Sequence, residues 1–124
     1  MFLAAMFFLS LATAWLSMGA AFWLFNCLVR LEYERYPEEW VRDGRPPAFY
    51  GWGTWPPGAR SLLVWGKFVM AAVSLRWLLR TRAWARQDEQ AKWLLREFRI
   101  AHAISLIGTL MMLLSIGLAL GLAA

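Results

Sequence analysis

The sequence predicts an all-α membrane protein, with two transmembrane helices forming an antiparallel hairpin and an amphipathic helical middle at the interface. All 13 Lys and Arg and all 8 Asp and Glu lie between Arg30 and Arg99, so the 29 residues before and the 25 after carry no charge. The chain is also 60% hydrophobic. Because a charge at the bilayer centre costs about 2.5–3.5 kcal/mol, this distribution indicates that both ends cross a membrane.

Four segments follow from this pattern. We predict a transmembrane helix over residues 1–29, a cytoplasmic Pro, Gly and aromatic connector over 30–60, an interfacial or re-entrant helix over 61–87, and an amphipathic entry with a terminal transmembrane helix over 88–124. As a helix the first segment reaches roughly 43 Å, enough for a hydrocarbon core of about 30 Å. It lacks the basic start and short apolar core of a cleaved signal peptide, so we expect an uncleaved anchor.

The connector contains the clearest helix-breaking signals. Arg30 to Glu39 can continue the first helix for a turn or two, and Pro37 then predicts a break at Tyr36. Four Pro and four Gly between Asp43 and Gly58 disfavour regular helix. The aromatic residues of this loop are expected either at the headgroup level or packed on the middle helix: Phe49, Tyr50, Trp52 and Trp55.

Residues 61–79 are apolar but short. The 15 residues between Arg60 and Arg76 give about 22 Å of helix, and Lys67 interrupts them. This favours a helix lying in the interface over a third span. The alternative is three transmembrane helices, with Arg60 and Arg76 extending their side chains to the headgroups. The hairpin leaves all 13 basic residues on the cytoplasmic side of the membrane, with both termini facing the periplasm or exterior.

The excess positive charge indicates where the middle contacts lipid. Residues 30–60 have a net charge of zero, whereas residues 61–99 carry eight basic and three acidic side chains. Basic and Trp side chains favour anionic headgroups and the membrane interface, respectively. The predicted interface residues are Lys67, Arg76, Arg80, Arg82, Arg86, Lys92, Trp77, Trp84 and Trp93. Trp77, Trp84, Ala91 and Phe98 recur every seven residues, Asp88 is a predicted N-cap, and Thr81–Gln87 is a predicted hinge.

Small residues recur at helical spacing in both charge-free ends, which favours close packing of the two spans. The predicted packing residues are Ser10, Ala14, Ser17, Ala21, Ser105, Gly108, Ser115, Gly117 and Gly121. Gly117 and Gly121 form a GxxxG motif, which is also found where membrane helices associate. Another membrane protein or a second copy of the chain is therefore an expected partner, together with the anionic bilayer.

Few residues in the sequence suggest chemistry. A single His102 and a single Cys27 provide no bis-histidine haem site, disulfide or Cys-based metal site. Walker and dinucleotide-binding motifs are absent, so we expect no enzyme activity, cofactor, metal or nucleic acid partner. The acidic residues near the first span are expected to pair with nearby arginines on a solvated helix end: Glu32, Glu34, Glu38 and Glu39.

The order of these features is similar to that of the universal stress protein B family of small bacterial inner-membrane proteins. The similarity lies in "RYPEEWVRDGRPP", the Pro/Gly loop and "RQDEQAKWLLREFR", at Tyr36, Pro37, Trp40, Gly44, Arg60, Asp88, Arg96 and Arg99. It implies a stress-associated, non-enzymatic membrane protein that acts through membrane or protein contacts. The alternative is an accessory subunit of a respiratory or photosynthetic complex; redox and transport roles are weaker candidates.

Overall fold

The computed structural model describes residues 1–48, 55–61 and 65–123, with side chains up to residue 121. Every regular element in these ranges is a helix. The helices are α1 (Phe2–Arg35), α2 (Pro37–Arg42), α3 (Lys67–Leu79), α4 (Ala83–Gln87) and α5 (Glu89–Ala123). Two of them, α1 and α5, are long and apolar enough to cross a membrane. Only 11% and 17% of the residues in their most apolar windows are buried, unlike the core helix of a soluble protein.

Local sequence explains where the helices begin and end. The first helix continues past the charge-free segment to Arg35, and Tyr36 then leaves the helical region because Pro37 follows it. Pro37 opens α2, where its missing N–H costs nothing. The chain turns after α2 at Gly44, whose φ of 93° favours glycine. The predicted break before Pro37 is therefore confirmed.

The middle of the chain contains more helix breaks than predicted. Arg80 and Arg82 have extended conformations on either side of Thr81, so α3 ends at Leu79. The predicted hinge over Thr81–Gln87 is wrong in part, because Ala83–Gln87 forms the short helix α4. Asp88 is extended and accepts a hydrogen bond from the Ala91 N–H at 3.1 Å, which confirms it as the N-cap of α5.

The chain divides into two compact units. The apolar unit comprises Met1–Ala21 and Arg99–Ala124, and the charged unit comprises Phe22–Phe98. Within the apolar unit, α1 and α5 approach each other closely at Gly108. A Cβ atom built on Gly108 would lie 3.0 Å from Ala14 N and 3.1 Å from Ser10 O. Ser105 Oγ donates a hydrogen bond to Ala14 O at 3.3 Å.

The charged unit has its own core of aromatic rings. Phe25 of α1 lies 5.2 Å from Trp77 of α3 and 6.3 Å from Phe98 of α5, measured between ring centroids. Trp84 of α4 lies 6.4 Å from Trp77. These four rings are 6% exposed or less, so four helices of the charged unit meet at one buried cluster.

Candidate membrane-contact site

The third helix, α3, is apolar on two opposite faces. Val73 and Trp77 are 0% and 1% exposed and pack into the core of the charged unit. On the other side, Phe68, Leu75 and Leu79 are 59%, 57% and 74% exposed. Spacings of seven and four residues place these three side chains on one side of the helix. We call them the outer face of α3.

The outer face has features expected of a helix against lipid. Full removal of each such side chain from water stabilises by about 1.5–3 kcal/mol, so leaving three of them in water is costly. Trp65 lies one turn before Phe68, with its ring centroid 5.9 Å away, and is itself 63% exposed. Lys67 Nζ lies 5.3 Å from the Phe68 ring centroid, within range of a cation–π interaction. At about 20 Å, α3 is too short to cross a hydrocarbon core of about 30 Å.

Of the three tryptophans predicted to contact the membrane interface, only Trp93 is exposed. Trp77 and Trp84 are 1% and 6% exposed, so the prediction that they meet headgroups is wrong. Their seven-residue spacing instead reflects core packing, because Ala91 and Phe98 in the same repeat are also fully buried. Trp93, by contrast, is 48% exposed and remains available to an interface.

The predicted basic residues fall into two groups. Arg76 and Arg82 point toward Asp43, with guanidinium nitrogens 3.3 Å and 2.5 Å from Oδ1. The Asp43 side chain is 2% exposed, so these two arginines balance a buried charge. The other predicted basic residues are exposed: Lys67, Arg80, Arg86 and Lys92.

Asp88 joins the end of α1 and the following Tyr36 to the start of α5. The sequence predicted only its role as the N-cap. Its Oδ2 accepts hydrogen bonds from Arg35 Nη1 at 2.9 Å and from Tyr36 Oη at 3.0 Å, while Oδ1 caps α5. Burial would raise the pKa of Asp88. The hydrogen bonds from Ala91, Arg35 and Tyr36 outweigh that effect and hold the pKa below its usual range.

Glu32 was expected on a solvated helix end, and that prediction is wrong. The residue follows the charge-free segment 1–29 and is 0% exposed, and neither carboxyl oxygen has a hydrogen-bond donor among the described residues. Burial, and then the neighbouring Asp43 carboxylate, raise the pKa of Glu32 to about 9. The protonated Glu32 carboxyl then has an O–H group that can donate a hydrogen bond to the Asp43 carboxylate. Nearby pairs do follow the expected pattern, with Arg30 Nε 2.8 Å from Glu34 Oε1.

The predicted packing residues have different surroundings in the apolar unit. Ser10, Ala14, Ser105 and Gly108 lie at the close approach of α1 and α5. Ala21 and Ser115 are buried, and the hydroxyls of Ser17 and Ser115 donate to carbonyls of their own helices. Apart from the neighbouring backbone of α5 itself, no described atom lies within 4 Å of a Cβ built on Gly117 or Gly121.

The loop aromatics are only partly described. Trp55 packs edge-on against Tyr33, with ring centroids 5.8 Å apart, so this ring contacts the protein itself. Phe49, Tyr50 and Trp52 lie outside the described residues.

Comparison of the chain with protein-family models, curated proteins and solved structures finds no match. The geometry of the chain itself is therefore the basis for assigning a function. Within the described ranges, no group of three or more His, Cys, Asp or Glu side chains is arranged to hold a metal ion. The most distinctive surface is the outer face of α3 with the exposed basic side chains beside it.

Proposed function

We propose that this chain is a non-enzymatic protein of the bacterial inner membrane. Its charge-free ends cross the bilayer, and its charged unit rests on the cytoplasmic surface through the outer face of α3. It acts there through contacts with anionic lipid or with another membrane protein. The observation that carries the proposal is the exposure of Phe68, Leu75 and Leu79 on a helix whose opposite face is already buried.

Contacts in the apolar unit support an antiparallel hairpin. Gly108 lies against Ser10 and Ala14, and Ser105, earlier in α5, bonds Ala14. Later positions in α5 thus meet earlier positions in α1, as in antiparallel helices. An even number of spans keeps both termini on one side. If the 13 basic residues lie in the cytoplasm, both termini lie in the periplasm.

The test of the lipid contact uses the full chain in lipid vesicles. A polarity-sensitive fluorophore is attached to Leu75→Cys in a Cys27→Ala background, and to Gln87→Cys as an exposed polar control. We expect blue-shifted emission at position 75, quenched by bromine-labelled acyl chains, and water-like emission at position 87. Equal, water-like emission at both positions would contradict the proposal.

The similarity to the universal stress protein B family supports a stress-associated role. Tyr36 and Asp88, two of the residues that carry this similarity, bond to each other at 3.0 Å in the charged unit. If the role is correct, the protein accumulates in stationary or starved cells and its deletion lowers survival there. Unchanged abundance and survival across growth phases would remove the stress assignment without affecting the membrane assignment.

An accessory subunit of a larger respiratory or photosynthetic complex is the second candidate. This candidate is favoured by Gly117 and Gly121, where an added Cβ meets no described atom within 4 Å apart from the neighbouring backbone of α5 itself. Such a small-residue surface allows a helix of another protein to approach closely. Purification in mild detergent distinguishes the candidates. A stoichiometric co-purifying enzyme supports the subunit, whereas a lone chain or small homo-oligomer opposes it.

A further inference from the structure

An open groove of about 570 Å³ lies where α3, α4 and α5 follow one another. Leu79, Arg80, Thr81, Arg86 and Lys92 line it. Its shape follows from the two breaks in the chain. Arg80 leaves α3 in an extended conformation, and the short helix α4 then carries Arg86 toward the first turn of α5.

The lining of the groove is basic, with three cationic side chains and no carboxylate. Among the described residues, no carboxylate lies within ion-pair distance of Arg80 or Arg86, whereas Lys92 Nζ lies 2.5 Å from Glu89 Oε1. Arg76 and Arg82, which are close by in sequence, form ion pairs with Asp43. Arg80 and Arg86 therefore bring to the groove two positive charges that no carboxylate of the described residues pairs with, whereas Lys92 is paired with Glu89. Guanidinium groups suit phosphate oxygens, since their planar N–H donors bind two oxygens at once.

The apolar end of the groove distinguishes a lipid from a free phosphate. Leu79 lines the groove and is also the last residue of the outer face of α3. Leu75 and Phe68 continue that face away from the cationic groups. A phosphate ion would use only the cations, whereas a phospholipid would place its phosphate among them and its acyl chains along α3.

We propose that this groove binds the phosphate of an anionic phospholipid, with Arg80 and Arg86 as the main headgroup ligands and Leu79 in contact with the acyl chains. The proposal rests on the membrane function proposed above and names the lipid class and the residues that recognise it. Lys92, which pairs with Glu89, also lines the groove. Binding at a defined site would fix the charged unit on the membrane surface in one orientation.

The test is native mass spectrometry of the full chain in detergent with added phosphatidylglycerol, phosphatidylcholine or inorganic phosphate. We expect one retained phosphatidylglycerol, bound more tightly than phosphatidylcholine and not displaced by millimolar phosphate. Arg80→Gln/Arg86→Gln should weaken that binding at least about tenfold, as expected for two lost charge-assisted contacts. Arg42→Gln/Arg96→Gln removes the same charge from exposed positions outside the groove and should retain the lipid.

Several outcomes would overturn the proposal. Equal loss in the two double variants would mean that net charge alone attracts the lipid, and equal binding of both lipids would exclude headgroup recognition. Displacement by inorganic phosphate would assign the groove to a free anion. Unchanged Trp emission verifies that each variant is folded. Resistance to alkaline carbonate extraction separately tests membrane insertion, so a chain that inserts without selecting phosphatidylglycerol contradicts only this proposal.

Discussion

The hydrogen bonds of Asp88 predict how substitutions at this residue change the stability of the start of α5. Its Oδ1 accepts the Ala91 N–H, while Oδ2 accepts Arg35 Nη1 and Tyr36 Oη. Asp88→Ala removes all three bonds and leaves the Ala91 N–H buried without its cap. Asp88→Asn keeps one oxygen to cap Ala91 but replaces Oδ2 with an NH2 group, which cannot accept the hydrogen bonds from Arg35 and Tyr36. The two variants therefore separate the cap from the interactions of Oδ2.

Each contribution has a characteristic size. Replacing an Asp cap by Ala costs about 1 kcal/mol, whereas Asn caps as well as Asp does. The ion pair adds only about 0.5 kcal/mol because the Arg35 side chain is 53% exposed. We therefore expect Asp88→Ala to lower the free energy of unfolding by about 1.5 kcal/mol and Asp88→Asn by about 0.5 kcal/mol.

The assay is equilibrium unfolding of the full chain in mixed micelles, followed by Trp fluorescence. Trp84 lies 5.1 Å from Tyr36 between ring centroids, so it reports on this region. The lowered pKa of Asp88 also predicts how the free energy of unfolding depends on pH. Its stabilising charge is present above the ordinary value of 3.8 and is lost as the pH falls through the lower folded pKa. Equal stability of Asp88→Ala and Asp88→Asn, or a wild type insensitive to acid, would refute the assigned bonds.

Three further substitutions, two of them with a matched control variant, test other parts of the structure. Glu32→Gln should reduce the decrease in the free energy of unfolding between pH 5 and 9. The pKa of Glu32 is raised from 4.5 to about 9 on folding, so its contribution to stability is lost as the pH rises through this range. An unchanged dependence of stability on pH would show that Glu32 is ionised in the folded chain. Gly108→Leu should lower the unfolding midpoint in detergent, since its side chain meets backbone atoms of α1, whereas Gly117→Leu should not; equal midpoints would contradict the close approach. In denaturant titrations, Trp77→Ala should lower the free energy of unfolding by about 3–5 kcal/mol and Trp93→Ala by about 0.5 kcal/mol. Similar losses for the two variants would contradict the burial of Trp77 in the aromatic cluster.

The sequence predicted the helices from strong local signals. The charge-free ends fall within the two long helices, and Pro37 and Asp88 mark helix boundaries because backbone geometry and capping act over a few residues. The apolar length of residues 61–79 favoured a helix too short to span, and α3 has 13 residues. These features depend on neighbouring residues and on the bilayer thickness, so one sequence suffices to find them.

The surroundings of individual side chains were harder to predict. The seven-residue repeat grouped Trp77 and Trp84 correctly but could not distinguish a core face from a lipid face, since both are apolar. Glu32 resembled its exposed neighbours in sequence, yet it lies buried beside Asp43. Asp43 pairs with Arg76 and Arg82, which are 33 and 39 residues away. Long-range ion pairs of this kind leave no periodic signal in a single chain.

The location of the two ends of the chain tests the two-span topology. Alkaline phosphatase, active only outside the cytoplasm, and a fluorescent protein, bright only inside it, are fused in turn before Met1 and after Ala124. Two membrane spans with the charged unit in the cytoplasm predict active phosphatase and dark fluorescent protein at both ends. Opposite locations of the two ends would require an odd number of spans and would contradict the hairpin.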